Sequence, residues 1–289
     1  MLRLAVATAA ETLARIREPL AERGIEAAHL DTEERLVTLD EPPDDWRGFD
    51  VGFVYPPRLA EAGVAQAHLG LPWVNGRDDV LASRNKAATL ARLDDAGLPT
   101  PATVLVSNPA DEAVLREAFD RIGPPVVVKP NGATRGVGVT RAADLDDFLG
   151  VCDYLDLVHG FRATGDKSFL VQEYLPAATD YRAMVVDGDY AGAVERRLPG
   201  DADDGRWVRN VHRDAEAVGV DLPEPLRDLA EATARGLGIP FLGVDLLVNE
   251  DGAVVSETAA RPTVDEATKY DPGFYDRLAA LVRRTAEGV

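Results

Sequence analysis

Two acidic residues near the C-terminus are the strongest candidates for chemistry in this sequence. Asp245 and Glu257 lie in apolar segments joined by the turn Glu250-Asp251-Gly252, which fits a hairpin with a left-handed glycine. A three-residue loop would pair Asn249 with Ala253, and therefore Asp245 with Glu257. Facing carboxylates destabilise a sheet unless a cation lies between them, and their oxygens suit Mg²⁺ or Mn²⁺. An exposed strand face in an acidic protein would have the same spacing, and spacing alone leaves both interpretations open.

A lysine followed by a glycine-rich loop is the second candidate. Lys129 ends the apolar run PPVVVKP, and the loop 131–138 contains Gly132, Gly136 and Gly138. The backbone N–H groups of such a loop can approach a phosphate chain closely, so we interpret it as a lid over a triphosphate. The loop lacks the Walker pattern, and an ordinary hairpin loop is the alternative.

Three further groups of polar residues accompany these candidates. Lys86, at the start of a predicted helix, could reach the same phosphates as a point charge. The segment Gln172-Glu173-Tyr174-Leu175, at a strand end, could offer acceptors to an adenine amino group while the leucine packs on the ring. The third group could pair with substrate carboxylates and comprises Asp180, Arg182, Arg196, Arg197 and the segment 209–213. For each group the alternative is an ordinary surface or half-buried position.

The composition limits the classes of function. The 289 residues are 46% hydrophobic and 28% charged, which is typical of a globular chain of about two domains. The single Cys152 excludes an intramolecular disulfide framework, and the four histidines have no metal-ligand spacing. The net charge of −19 argues against nucleic acid as a partner. No apolar run is long enough for a bilayer and the N-terminus does not resemble a signal peptide, so we expect a cytoplasmic protein without membrane partners.

The order of the predicted elements indicates a mixed α/β chain. Short strands alternate with helices over the first 80 residues, which favours a parallel sheet. A helix is predicted over 78–96, and it ends at Gly97. From residue 168 onward the pattern is mostly antiparallel, with one hairpin turning at Asp187-Gly188.

Together these segments resemble the ATP-grasp superfamily, and within it the RimK-like ligases. The resemblance covers about residues 78 to 289 and is carried by RNKAATLARLDDAGLPTP, VVVKPNGATRGVGV, FLVQEYLPAATDYRAMVVDGDYAGAVERR, RNVHR and FLGVDLLVNEDGAVVSET. It implies an ATP-grasp fold of the α/β (α+β) class. The implied parts are a Rossmann-like pre-ATP-grasp domain over 1–80, a central subdomain with the glycine-rich lid over 81–170, and a C-terminal subdomain with the metal site over 171–289.

The resemblance also implies roles for individual residues. Asp245 and Glu257 would ligate Mg²⁺ (or Mn²⁺), and Arg197 and Asn210 would face the reacting carboxylate and phosphoryl group. The family usually carries Glu-x-Asn at the metal site, whereas this chain has Ala259 in place of the asparagine. The residues implied to bind ATP are Lys86, Lys129, Gly132, Gly136, Gly138, Gln172, Glu173, Leu175 and Asp180.

The activity implied by the resemblance is ADP-forming ligation of a carboxylate to an amine through an acyl phosphate. The substrates would be a small-molecule or peptide carboxylate and an amino acid such as glutamate, added to a peptide, protein tail or coenzyme. A homo-oligomer is compatible with the sequence. Because of Ala259, a non-catalytic ATP-binding regulatory protein stays an alternative. A small-molecule kinase that uses the same ATP site is another alternative, and it would release ADP without an amine.

The acidic, lysine-poor composition predicts a protein adapted to high salt. The chain has 50 acidic against 31 basic residues, and four of the latter are lysines. Because salt screens the repulsion between acidic groups, we expect the free energy of unfolding to rise from low to molar KCl. Urea unfolding at increasing KCl measures this. Full folding at low salt, with an unchanged midpoint at molar KCl, would contradict a halophilic origin.

Overall fold

Three β-sheets organise the protein. The structure, a computed structural model, describes residues 1–8, 11–133, 137–160, 167–198 and 216–288. In these ranges the first sheet is parallel, whereas the second and third are antiparallel. The mixed α/β class expected from the sequence is therefore confirmed.

The N-terminal sheet is four-stranded and parallel, in the order β2-β1-β3-β4. Two helices accompany it, and in the first, Leu13, Ile16 and Leu20 recur at helical spacing and are buried. The second helix, which the sequence analysis does not anticipate, ends at Gly70 in the left-handed conformation. The elements are β1 (Leu2–Val6), α1 (Glu11–Ala21), β2 (Ile25–His29), β3 (Val51–Phe53), α2 (Leu59–Leu69) and β4 (Trp73–Val74).

Two helices connect this sheet to the rest of the chain, where the sequence predicts one helix over 78–96. The structure has α3 (Arg77–Arg84) and α4 (Lys86–Asp95), separated at Asn85. The Asn85 side chain accepts a hydrogen bond from the Ala88 N–H at 3.1 Å and so caps the start of α4. The prediction of a continuous helix is wrong because this asparagine begins a new helix.

The central sheet is antiparallel, in the order β5-β8-β6-β7. Helices α5 and α6 pack on one face, where Val126, Val128, Phe169 and Val171 form part of a core. Since side chains alternate along a strand, Lys129 on β6 belongs to the opposite face. The elements are β5 (Thr103–Ser107), α5 (Glu112–Ile122), β6 (Val126–Pro130), β7 (Thr140–Ala142), α6 (Leu145–Gly160) and β8 (Ser168–Glu173).

The third sheet is antiparallel, in the order β11-β10-β9-β12-β13. The turn at Asp187-Gly188, with φ values of 59° and 86°, is confirmed. Strand β11 is not anticipated by the sequence analysis. The elements are β9 (Thr179–Val186), β10 (Asp189–Arg197), β11 (Glu216–Val220), α7 (Glu224–Leu237), β12 (Phe241–Asn249), β13 (Gly252–Ala259) and α8 (Phe274–Glu287).

The last hairpin has a different turn from the predicted one. Asn249 pairs with Gly252, not with Ala253, so the loop has two residues instead of three. A bulge after Asp245 then shifts the register by one residue, and Asp245 pairs with Glu257 as predicted. The two departures compensate each other.

A shared core fixes the first and third sheets against each other. Phe53 of β3 and Phe241 of β12 lie with ring centroids 5.0 Å apart, and α8 packs against strands of both sheets. The fully buried Asn75 donates to the carbonyls of Phe241 and Ala260 and accepts from the Phe241 N–H. A cleft between these sheets therefore has rigid walls. None of the helices in the described ranges has the length and apolar character to cross a membrane.

Cys152 offers a probe of the central core. Its thiol is buried on α6, and burial, with the nearby Asp153 charge, raises its pKa to about 12. Because the thiolate is the reactive species, we expect a thiol reagent to label the folded protein very slowly at pH 8 and the urea-unfolded chain rapidly. Equally fast labelling with and without urea would contradict the packing of this subdomain.

Candidate active site

A row of charged side chains crosses one face of the third sheet. Arg182 binds Asp245 with both ends of its guanidinium, Nε to Oδ1 at 2.7 Å and Nη2 to Oδ2 at 2.8 Å. Arg196 Nη2 bridges Asp180 Oδ1 at 2.6 Å and Asp245 Oδ2 at 3.0 Å. Asp180 and Asp245 are only 9% and 3% exposed. We call these four residues the ion network.

Burial and the arginines have opposite effects on the two carboxyl groups. Burial raises the pKa of Asp180 to about 6 against the attraction of Arg196. Burial also disfavours ionisation of Asp245, yet Arg182 and Arg196 together hold the pKa of that carboxyl at about 2. Asp245 is therefore charged at neutral pH and anchors both guanidiniums.

Lys86 links the third sheet to the start of the glycine-rich loop. Its ammonium lies 3.4 Å from Glu257 Oε1 and donates to the carbonyls of Asn131, at 3.3 Å, and Ala133. Asn131 in turn accepts from the Ala87 N–H at 3.0 Å. Although only 6% exposed, Lys86 lines the cleft described below. The loop is therefore anchored at the start of α4, next to Glu257.

Lys129 lies on the face of the central sheet opposite α5 and α6, in the same region as Lys86 and Glu257. Its ammonium donates to Gln172 Oε1 at 2.5 Å, and Gln172 donates to Thr103 Oγ1 at 2.8 Å. Burial lowers the pKa of Lys129, as does the positive charge of Lys86, while Glu257 and the two aspartates of the ion network oppose the shift. The two lysines thus share one electrostatic environment.

The residues expected at the adenine have other partners. Glu173 Oε1 accepts from the Ala102 N–H at 2.8 Å, which ties the end of β8 to the start of β5. Leu175 is half-buried and lies beyond the end of β8. Glu173 therefore has one carboxylate oxygen that accepts no described bond.

The glycine-rich loop is described at its two ends. Gly132 is exposed, and Gly138 has a φ of +76°, so that a Cβ there would lie 2.7 Å from Pro130 Cγ. Gly138 is thus a position at which a side chain would be strained. Gly136 lies outside the described residues, as does Asn210.

The structure does not bring Arg197 to the ion network. Its side chain is 52% exposed and pairs with Glu195 at 2.7 Å. Because side chains alternate along β10, Arg196 lies on the face of the sheet that carries the ion network, and Arg197 lies on the opposite face. The sequence analysis named both residues but assigned the reacting groups to Arg197, whereas the residue that joins the ion network is Arg196. Strand alternation is the signal that could have distinguished the two.

A cleft of 1270 Å³ opens beside these residues. Its walls include Lys86, Arg182, Arg196 and Glu257, and it continues to the carboxyl ends of the N-terminal strands. In proteins with a parallel sheet, ligands commonly bind at the carboxyl ends of the strands. The cleft is larger than the roughly 300–1,000 Å³ of most ligand sites, so it has room for a nucleotide tail and a second molecule.

The whole lining of the cleft has six acidic and six basic side chains, whereas the ion network with Lys86, Lys129 and Glu257 has a local surplus of one positive charge. Asp180, Asp245 and Glu257 carry three negative charges; the positive charges, four in number, belong to Lys86, Lys129, Arg182 and Arg196. A triphosphate fits this surplus. In the described residues no three Asp, Glu, His or Cys side chains converge as a ready metal site.

Comparison with known proteins identifies the family. A model of the RimK-like ATP-grasp domain matches residues 83–272. A probable alpha-L-glutamate ligase from Enterobacter sp. (strain 638) is 32% identical over 189 residues, covering 65% of this chain and 59% of the relative. The chain thus spans less than two-thirds of the length of this curated relative.

Solved structures have the same fold. A RimK domain ATP-grasp protein from Sphaerobacter thermophilus superposes with a TM-score of 0.72 at 22% identity, over 97% of this chain and 99% of the other. The ATP-grasp ligase PsnB, solved with a minimal precursor, Mg and ADP, gives 0.64 at 18% identity, over 99% and 97%. The ATP-grasp fold expected from the sequence is confirmed, and the chain belongs to the RimK-like ATP-grasp family.

Proposed function

We propose that this protein is an ATP-dependent, ADP-forming ligase that joins a carboxylate to an amine through an acyl phosphate. The observation that carries the proposal is the convergence of the ion network with Lys86, Lys129 and Glu257, a cluster with one more positive than negative charge. Lys86, Arg182, Arg196 and Glu257 of this cluster line the cleft. Acyl phosphate formation brings a triphosphate and a carboxylate, both anionic, into contact. Preorganised positive charge is the largest contribution a protein makes to such a step.

The two lysines are the proposed phosphate ligands. Lys129, on β6, and Lys86, at the start of α4, already hold acceptors, Gln172 Oε1 and two loop carbonyls. When a triphosphate is present, its oxygens replace these acceptors as stronger, charged partners. The glycine-rich loop, including Gly132, Gly136 and Gly138, then covers the phosphates, and the segment from Gln172 to Leu175 with Asp180 borders the nucleoside.

Glu257 and Asp245 fit a divalent cation unequally. Glu257 is half-buried beside the cleft, with Lys86 at 3.4 Å as an ion partner. Asp245 receives three N–H contacts from the arginines, which leaves about one of its four acceptor positions, on Oδ1. Glu257 therefore provides the more accessible oxygens, and Asp245 shares its carboxylate between arginine and metal. Mg²⁺ bound there would neutralise phosphate charge and polarise the transferred phosphoryl group.

The arginines of the ion network have the geometry to stabilise the reacting anions. Arg182 and Arg196 line the cleft, yet Asp245 and Asp180 hold their guanidiniums in place before any ligand arrives. A fixed donor needs no reorganisation as charge develops on the phosphoryl oxygens and on the acyl phosphate. Their neighbour Arg197 is exposed, so we assign this role to Arg182 and Arg196, with Asn210 as a further candidate.

We propose an amino acid such as glutamate as the amine substrate, because the Enterobacter relative is named a probable alpha-L-glutamate ligase. A peptide, protein tail or coenzyme would supply the carboxylate. One observation favours a non-catalytic nucleotide-binding protein as a second candidate. Ala259 lines the cleft two residues beyond Glu257 and brings no oxygen ligand to the metal site.

Turnover separates these candidates. ADP release is measured with ATP and Mg²⁺, with and without candidate carboxylic acids and amines. The ligase requires both substrates and releases phosphate with the amide product. ATP binding without turnover for any combination would favour the second candidate, and turnover without an amine would indicate a kinase.

Replacing Lys129 with alanine tests the phosphate site. We expect Lys129→Ala to weaken ATP binding by about 10- to 100-fold, because a charge-assisted contact to phosphate is lost. Titration with a fluorescent ATP analogue measures the affinity. Lys167→Ala, at an exposed lysine before β8, is the matched control and should bind like the wild type. Equal affinity in Lys129→Ala would remove this residue from the site.

Replacing Glu257 with glutamine tests the metal site. We expect Glu257→Gln to abolish ADP release, because the proposed metal ligand loses its charge, and to lower the unfolding midpoint, because the buried Lys86 loses its ion partner. Glu250→Gln, at the exposed turn of the same hairpin, should keep wild-type activity. Asp245→Asn is a poorer test, since two arginines would lose a buried partner at a cost of about 3–5 kcal/mol. Wild-type rates in Glu257→Gln would refute the metal assignment.

A further inference from the structure

The side chain at position 259 brings no ligand to the cleft. Glu257 and Ala259 are two residues apart on β13, so their side chains project from the same face of the sheet, and both residues line the cleft. A methyl group cannot bind a cation. The protein oxygens for a metal on this face of the hairpin are therefore those of Glu257 and of Asp245, which pairs with it.

The arginines already use most of the Asp245 carboxylate. Its Oδ2 accepts from Arg182 at 2.8 Å and from Arg196 at 3.0 Å, and its Oδ1 accepts from Arg182 at 2.7 Å. A carboxylate has about four acceptor positions, so about one is left for a cation. In the part of the chain that the structure describes, no three Asp, Glu, His or Cys side chains converge. These groups suit one divalent cation that also binds phosphate oxygens and water, and they leave a second cation without a protein ligand of its own.

Arg182 crosses the sheet next to position 259. In the register of the hairpin, Ala259 pairs with Gly243. A Cβ on Gly243 would lie 3.5 Å from Arg182 Cδ and 3.6 Å from its Nε, so the arginine side chain lies directly over this glycine. The positive charge of Arg182 is therefore beside the point at which a longer side chain at position 259 would project.

Strand register fixes the order of the charges across the sheet. Asp245 pairs with Glu257 on one side and with Arg182 on the other. Because neighbouring strands lie about 4.8 Å apart, Glu257 and Arg182 are separated by about 10 Å, with the Asp245 carboxylate between them. A cation at Glu257 and the guanidinium of Arg182 thus share one aspartate. Arginine stays protonated at all working pH values, so this second positive charge is permanent.

We propose that the cleft binds a single divalent cation with the nucleotide, held by Glu257 and Asp245, and that the guanidinium of Arg182 takes the place of a second cation. The inference rests on the proposed function and specifies the metal content of its site. Ala259 provides no ligand for a second cation, and Arg182 repels one. The arginine is also oriented by Asp245 before ATP binds, so its charge needs no reorganisation.

Counting bound Mn²⁺ by electron paramagnetic resonance tests this proposal, because the strong signal of free Mn²⁺ is lost on binding. The full chain is titrated with Mn²⁺ in the presence of an equimolar amount of AMPPNP, a non-hydrolysable ATP analogue. The buffer contains about 1 M KCl, which screens weak binding of Mn²⁺ to the acidic surface. We expect one Mn²⁺ per chain, bound about 10-fold more tightly than to AMPPNP alone, because Glu257 adds a charged ligand.

Two variants test the residues that set this number. Ala259→Asn introduces an amide oxygen without removing a buried charge, and we expect it to bind a second Mn²⁺. The double variant Ala259→Asn, Arg182→Gln should bind that second ion about 10-fold more tightly than Ala259→Asn alone, because the repulsion from the guanidinium is removed. Ala113→Asn, at an exposed position on α5, is the matched control and should bind one Mn²⁺.

Each other result contradicts a stated part of the proposal. Two Mn²⁺ ions per wild-type chain would refute the single-cation site, and an affinity no higher than that of AMPPNP alone would refute the role of Glu257. One Mn²⁺ in Ala259→Asn would refute the role of position 259. Equal affinity for the second ion with and without Arg182 would refute the role of the arginine. The urea midpoint of each variant verifies folding, and if the double variant is unstable, the counts for the wild type and Ala259→Asn decide the number of cations.

ADP release distinguishes this inference from the proposed function. One tightly bound Mn²⁺ in the wild type, without ADP release from any pair of substrates, would refute the ligase and leave the single-cation site valid. Ligase turnover by a wild-type chain that binds two Mn²⁺ ions would refute the inference alone.

Discussion

The paired burial of Asp245, Arg182, Arg196 and Asp180 is the constraint on which the site depends. Each of these charges would be expensive to bury alone, and each is acceptable because the others neutralise it. The network therefore fixes the side chains of two arginines in the wall of a cleft. A buried ion pair of this kind adds little net stability, but it does specify where donors point, and orientation is what a phosphoryl-transfer site needs.

Apolar packing on both faces of the third sheet fixes the strands that carry the ion network. On the opposite face of the third sheet, Ala183, Val185 and Leu246 pack in a core that includes residues of α7. On the network's own face, Met184 and Phe241 pack into the core shared with the N-terminal sheet. The same strands thus carry a core on both faces and charges at one end. Because packed cores deform little, the cleft between the sheets keeps its shape.

The sequence analysis predicted which segments come together better than it predicted individual side-chain contacts. The Asp245–Glu257 pairing was predictable, since a hairpin register follows from the turn, yet the predicted register was right only because a two-residue turn and a bulge cancelled. The sequence analysis assigned the reacting groups to Arg197 without applying period-two alternation to β10, which places Arg196 on the face that carries the ion network. The start of a new helix at Asn85 follows from a local cap, the Asn85 side chain accepting from the Ala88 N–H, and such a cap is visible in a sequence. By contrast, the Ser83 hydroxyl donates a hydrogen bond to the carbonyl of Thr258, far along the chain, which no local pattern contains.

The contrast between an acidic chain and a local cluster of lysines and arginines has consequences for ligand binding. A net charge of −19 repels anions at long range, whereas Lys86, Arg182 and Arg196 in the cleft attract them at contact distance. Salt acts unequally on these two effects, because the Debye length shortens from about 10 Å at 0.1 M to about 3 Å at 1 M. Screening at molar salt removes the repulsion from distant acids while partly buried pairs are screened much less. An acidic surface is therefore compatible with anionic substrates when the cleft is deep enough to hold its positive charges away from bulk solvent.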